Sequence, residues 1–288
     1  MRSVRSILVV LNPAYEEPPA LIRAKHIAQV TQSDLYLLAC DKDGSQHQSV
    51  QQLITKLRNE GFSVKGKASW HNSFHETVIQ AQQAFNCGLV IKEHHAENPL
   101  KKVLLTPEDW KLLRFCPAPV LIVKTTHDWS NGNVLAAVDL GNTEPEHREL
   151  QNSIVSTGLE LTQVTKGKLH LFTAHPSPML SAADPTFQLR DTIENRYKGL
   201  CDSLVSLFDL DPALVSLKEG PADLLIPRTA DEVGAVLTVM GTVARTGLSG
   251  ALIGNTAEVV LDSIQTDVLV LKPQDRIEQL ERDLKNKT

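Results

Sequence analysis

The order of strand and helix in this chain occurs twice, at an interval of roughly 125 residues, and that doubling restricts the accessible folds more than any other feature. The first copy opens with the apolar run Ile7–Leu11. A helix prefaced by Pro18-Pro19 and running to Gln32 follows, then a strand at Leu35–Cys40 and a helix over Ser49–Glu60. A strand at Phe62–Ala68, a helix over Phe74–Phe85 and a strand at Leu89–Lys92 come next. Thr106-Pro107 opens the last helix of the copy, and Val120–Lys124 is its closing strand. The second copy begins with a strand at Val134–Asp139, a helix over Glu144–Val164 and a strand at Lys168–Ala174. Asp184-Pro185 then begins a helix whose Leu189, Ile193, Tyr197, Leu200 and Leu204 fall on one face. The remaining elements are a strand at Leu214–Lys218, a helix from Ala222, a strand at Ala235–Met240, a helix over Asn255–Ser263 and a strand at Val268–Lys272.

Strands alternating with helices pair in parallel, because each helix carries the chain back to the start of the next strand. The expectation is therefore α/β: two tandem doubly wound domains, each a five-stranded parallel sheet flanked by helices. Their bounds are placed at 1–126 and 133–273, with a short polar linker, His127–Gly132, between them and a charged tail over 274–288. In the tail, Ile277, Leu280 and Leu284 share one stripe, as in a solvated or loosely docked helix. A length of 288 residues suits two such domains. A net charge of −5 with a pI near 6.1 argues against nucleic acid as a partner. The apolar runs are of strand length, so no membrane insertion is expected, and no signal peptide is recognised at the N-terminus. Cys40, Cys87, Cys116 and Cys201 lack metal-type spacing and fit reduced core positions of a cytoplasmic protein.

In an open parallel sheet, ligands bind beyond the carboxyl ends of the strands where strand order reverses. Two segments of the second copy would meet there. One is Asp139, at the end of the opening strand. The other runs from Met240-Gly241 through Ala244, Arg245, Gly247 and Gly250 to Gly254-Asn255-Thr256. A glycine leaving a strand, a glycine-bearing loop and the N-terminus of a helix, with its unpaired N–H groups and positive dipole end, make a cradle for phosphate. Arg245 could add a countercharge.

That segment resembles the nucleotide motif of the universal stress protein family: Gly, two residues, Gly, nine residues, Gly, then Ser or Thr. Here it reads Gly241-x2-Ala244-x9-Gly254-Asn255, with spacing intact and two positions changed. The runs Trp70-His71-Asn72, Thr106-Pro107-x-Asp109-Trp110 and Gly254-Asn255-Thr256-Ala257-Glu258 resemble tandem members of the family, and the likeness covers nearly the whole chain. The resemblance implies strand order 3-2-1-4-5 in each half and a pseudo-twofold between halves. It also implies an adenosine phosphate, ATP foremost, held in the second half with Asp139 near the adenine. Single-domain members tend to dimerise through their last strands. With Val120–Lys124 and Val268–Lys272 on one chain, a monomer is the expectation and a dimer the lesser alternative. At Ala244, a methyl in place of glycine costs about 1–2 kcal/mol if the residue takes positive φ.

The first copy lacks these features. Asn12 stands where Asp139 does, and Lys92 is placed where Gly241 stands. Thr106-Pro107-Glu108-Asp109 sets two acids on the helix terminus that would have to accept phosphate. No phosphate cradle is expected there, though the emptied cleft could take a different small molecule. His71 and His75, four apart, and His94 and His95 after the fourth strand are the candidates for a metal, zinc among them. No nucleophile with its base, and no paired carboxylates, stand out, so enzymatic activity reduces to weak ATP hydrolysis at most. Two functions remain open: a regulatory protein binding an adenine nucleotide in the second half, and a nucleotide-free interaction protein.

Overall fold

The computed structural model describes residues 4–12, 15–94, 105–177, 190–242 and 254–286. The first half comprises β1 (Ser6–Val10), α1 (Pro19–Thr31), β2 (Asp34–Cys40), α2 (His47–Asn59), β3 (Val64–Ser69), α3 (Phe74–Ala84), β4 (Leu89–Glu93), α4 (Pro107–Phe115) and β5 (Val120–Val123). The second comprises β6 (Asn133–Ala137), α5 (Pro145–Thr165), β7 (Leu169–His175), α6 (Arg190–Phe208), β8 (Val215–Glu219), α7 (Ala222–Glu232), β9 (Ala235–Gly241), α8 (Asn255–Ser263) and β10 (Asp267–Leu271). The tail forms α9 (Gln274–Lys285).

The ten strands make one sheet in the order β3-β2-β1-β4-β5-β10-β9-β6-β7-β8. Each half therefore has the order 3-2-1-4-5, parallel throughout, and the halves join where β5 and β10 pair antiparallel, Leu121 opposite Leu269. The inner strands are largely apolar because helices cover both faces, whereas the outermost, β3 and β8, carry lysines and are only partly buried. The apolar residues of α1, α2, α5 and α6 pack on one face, and those of α3, α4, α7 and α8 on the other. Local signals repeat along with topology. Both α1 and α5 carry proline at their first position and end on a residue in left-handed conformation, Gln32 and Lys166.

The boundary nearest the candidate site differs from the expectation. β6 ends at Ala137, so Asp139 lies two residues past the strand, in the loop. The start of the long helix at Asp184-Pro185 falls outside the described residues, and α6 is described from Arg190. The tail helix is docked rather than solvated, with Leu280 buried and α9 lying against α5.

The junction between halves is held by Asp267, the first residue of β10, which is wholly buried. Arg23 of α1 donates through Nε to its Oδ2 at 2.8 Å, and Trp129 of the linker donates through Nε1 to the same oxygen at 2.8 Å. Oδ1 accepts the backbone N–H groups of Lys124 and Thr125 at 2.8 and 2.9 Å. The Arg23 guanidinium also stacks over the Trp129 ring, 4.8 Å from its centroid, and donates to the carbonyl of His127. One carboxylate thus ties the first half, the linker and the second half together.

Lys124, just past β5, reaches across and donates to the carbonyls of Leu261 and Ile264 at the end of α8, at 2.8 and 2.7 Å. Burial pushes its ammonium down to about 8. Lys272 holds the matching place after β10 and is likewise pushed by burial to about 8. Breaking a buried ion pair by removing one partner leaves a charge without compensation. Asp267→Ala is accordingly expected to cost about 3–5 kcal/mol in urea unfolding followed by tryptophan fluorescence. A loss below about 1 kcal/mol would show that the junction rests on strand pairing alone.

Candidate functional site

Strand order reverses between β1 and β4 in the first half and between β6 and β9 in the second. The helix after β6, α5, lies on one face of the sheet, and the helix after β9, α8, on the other. Each pair of strand ends therefore opens into a crevice between diverging chains.

In the second half, Ala137 of β6 pairs with Met240 of β9, which brings Asp139 and Gly241 to the same end of neighbouring strands. Asp139 is exposed, and its Oδ1 accepts the Gly141 N–H at 2.9 Å. Gln151 of α5 holds the loop from below, donating through Nε2 to the carbonyls of Asp139 and Asn142. The Met240 side chain is buried in the core cluster with Ala257 and Val260, so only its backbone borders the crevice. At Gly241 a Cβ would lie 2.7 Å from Leu150 Cδ2, so a side chain there would have to displace the end of Leu150 from its packing. Gly254 caps α8 at φ +113°, a conformation that disfavours any side chain, and among the described residues no side chain caps that terminus. Thr256 is exposed in its first turn. Asn255 is the first residue of α8. Ala244 and Arg245 fall outside the described residues.

Sequence reasoning assigned Tyr197 to a core stripe, but the structure also puts it at this crevice. From α6 its hydroxyl presses against Gly141 beside Asp139, and the His175 ring at the end of β7 lies 5.7 Å from its ring. Burial, and then the charge of Asp139, raise the phenol above its ordinary range, so the hydroxyl remains a donor. Its position depends on packing between α6 and the β6 loop, which no local pattern encodes.

The first-half crevice is filled differently. There Val10 pairs with Lys92, so by register Lys92 answers to Met240, and Glu93, not Lys92, answers to Gly241. The one-residue difference changes the face a side chain occupies. Lys92 consequently points at α4. Its Nζ donates to Oδ1 of Asp109, which is wholly buried, and His94 Nδ1 lies 3.0 Å from Oδ2. Thr106 and Asp109 form a reciprocal capping box, with Asp109 Oδ2 accepting the Thr106 N–H at 3.0 Å. Burial alone would raise the Asp109 carboxyl. The His94 contact and the Lys92 charge outweigh it and hold the group well below the usual carboxylate range.

The histidine candidates do not converge. His75 Nδ1 lies 3.2 Å from Glu108 Oε2, His71 is exposed at the turn before α3, and His94 faces Asp109. His95 lies outside the described residues, and among those described no three His, Cys, Asp or Glu side chains gather as for a metal. Burial pushes the Cys116 thiol up to about 11, which suits a core residue and not a nucleophile. A cavity of about 380 Å³ lies beside the first-half crevice, between the ends of β1 and β2 and the helix α2. Leu11, Asn12, Tyr15, Gln46, Val50 and Leu53 are among its lining residues. No described helix is long and apolar enough to cross a membrane.

The universal stress protein family profile matches residues 131–272, the half with the open helix terminus. Across the whole molecule the chain is 32% identical to universal stress protein E of Salmonella typhi, over 98% of this chain and 99% of that protein. The chain belongs to the universal stress protein family. Two solved structures from Pseudomonas aeruginosa extend the likeness to three dimensions. A protein of unknown function from strain PAO1 superposes with a TM-score of 0.91 at 51% identity, covering 100% of this chain and 99% of that one. A putative universal stress protein from strain UCBPP-PA14 gives 0.90 at 51% identity, covering 98% of each. Family membership supports a stress-response role for this universal stress protein.

The buried Asp109 has a consequence for pH. Its carboxyl is depressed in the folded state, so the stability it contributes is present above the ordinary aspartate pKa, near 4, and fades as pH falls below it. Asp109→Asn is expected to lose about 3–5 kcal/mol at neutral pH, because Lys92 keeps its charge without a partner. In urea unfolding across pH, the gap between the two proteins should stay level above pH of about 5 and narrow below about 4. A gap constant down to pH of about 2 would contradict the assignment.

Proposed function

We propose that this universal stress protein is a stress-response regulator that binds an adenine nucleotide, ATP foremost, in the crevice of its second half. The observation that carries the reading is the contrast between the two helix termini. Thr106 and Asp109 close the N-terminus of α4, whereas Gly254 caps that of α8 and no described side chain closes it. Unpaired N–H groups at a helix start favour an anion. The residues present fit such a ligand. Gly254, Asn255 and Thr256 would offer backbone N–H groups and polar side chains to the phosphates, with Arg245 as a countercharge and Ala244 within the loop. Met240 and Gly241 would border the ligand through the backbone, and Asp139 would accept from the base. Among the described residues no group in the crevice is placed to activate a nucleophile, and on this reading the protein holds its nucleotide and hydrolyses it weakly at most.

The same topology supports a monomer with an internal pseudo-twofold. β5 and β10, which would otherwise be free edges, are paired with each other. The domains follow that axis, at 1–126 and 133–273, and the location we infer is the cytoplasm. A second reading, a nucleotide-free interaction protein, is favoured by the 380 Å³ cavity of the first half, which would take another small molecule or a metal.

Calorimetric titration with ATP distinguishes the two. Binding in the micromolar range is expected, weakened at least tenfold by Gly254→Asp, whose carboxylate would stand at the phosphate end of the site. No heat from the unsubstituted protein would favour the second reading. Unchanged affinity in Gly254→Asp would move the nucleotide elsewhere.

A further inference from the structure

The two crevices are related residue by residue. By strand register Lys92 corresponds to Met240 and His94 to Thr242. The two final helices both have nine residues, so Thr106 corresponds to Gly254 and Asp109 to Ala257. Met240 and Ala257 are buried apolar side chains packed together under the N-terminus of α8. At the same place in the first half stand a carboxylate, an ammonium and an imidazole, none more than 8% exposed. Burying three ionisable groups where two apolar ones suffice is unfavourable unless each has a partner.

The carboxylate is fully provided for. Oδ1 accepts from Lys92, and Oδ2 accepts from the Thr106 N–H at 3.0 Å and the Thr106 hydroxyl at 2.9 Å, with His94 Nδ1 at 3.0 Å. Lys92 also donates to the Glu93 carbonyl at 2.9 Å, which fixes its ammonium at the end of β4. His94 Nε2 is buried and has no hydrogen-bond partner among the described residues, so the ring's one polar contact there is to the carboxylate. We propose that Asp109 is a built-in anion. Lys92, His94 and the N-terminus of α4 form an anion seat, and the chain's own carboxylate occupies it permanently. The first half is thereby fixed in a liganded arrangement, and α4 keeps its position whether or not any small molecule is present. The seat would take a small carboxylate once Asp109 is removed.

The anion seat lies in the first half alone and is tested without nucleotide. In Asp109→Ala the melting temperature of the full-length chain should fall. Sodium formate should then restore part of it, where sodium chloride of equal ionic strength does not. The unsubstituted protein should respond to the two salts alike. Adding Lys92→Met to Asp109→Ala should abolish the formate effect, because the cation that seats the anion is gone. Formate and chloride acting alike on Asp109→Ala, or a melting temperature unchanged by the substitution, would overturn the proposal. If Asp109→Ala does not fold, a cycle of Asp109→Asn, Lys92→Met and their combination decides it. Recovery of stability in the double variant relative to Lys92→Met supports the pairing, and simple addition of the two losses refutes it.

Discussion

The antiparallel pairing of β5 with β10, locked by the buried Asp267, is the constraint on which the rest of this molecule depends. Two five-stranded parallel sheets of the same order could each present an open edge. Here the edges meet, and a single carboxylate binds Arg23, Trp129 and the backbone at Lys124 and Thr125 where they do. The arrangement fixes the halves by a pseudo-twofold and makes one ten-stranded sheet with two continuous cores. It also sends the two crevices to opposite ends of the sheet, because β5 and β10 run in opposite directions. The two sites can therefore diverge chemically without contact between them.

They have diverged at a few positions. Where the second half has Met240, Thr242, Gly254 and Ala257, the first has Lys92, His94, Thr106 and Asp109. The first set leaves a helix terminus with no cap from a described side chain, over an apolar floor. The second closes it with a capping box and a buried ion pair. Both solutions satisfy the same physical demand, that the N–H groups of a helix start find an acceptor. One supplies it from the sequence, and under the proposed function the other would receive it from a ligand.

Much of the architecture was legible in the sequence because α/β folds write locally. Apolar runs bounded by proline and glycine marked the strands, and the final helix α8 was placed at its observed ends, Asn255 and Ser263. The stripe of Ile277, Leu280 and Leu284 identified α9, though only packing against α5 shows that it is docked. The misses share a cause. Arg23 and Asp267 are 244 residues apart, and nothing in the neighbourhood of either announces the other. The offset that placed Lys92 opposite Gly241 arose because the first half has no glycine at the end of β4 to anchor the comparison. Asp109 was legible as a helix-start acid through Thr106-x-x-Asp109, but its burial against Lys92 of β4 is a contact between distant elements. Tyr197 shows the limit most plainly. Its helical spacing was read correctly, and its second role, beside Asp139 and Gly141, depends on how α6 meets a loop from another strand.

Hydrogen exchange followed by mass spectrometry, with and without saturating ATP, tests the division of roles most directly. Slowed exchange is expected at the backbone around Asp139–Asn142 and at the first turn of α8, with no change around Lys92–His94 or at the start of α4. Protection at the α4 terminus, or equal protection in both halves, would contradict it.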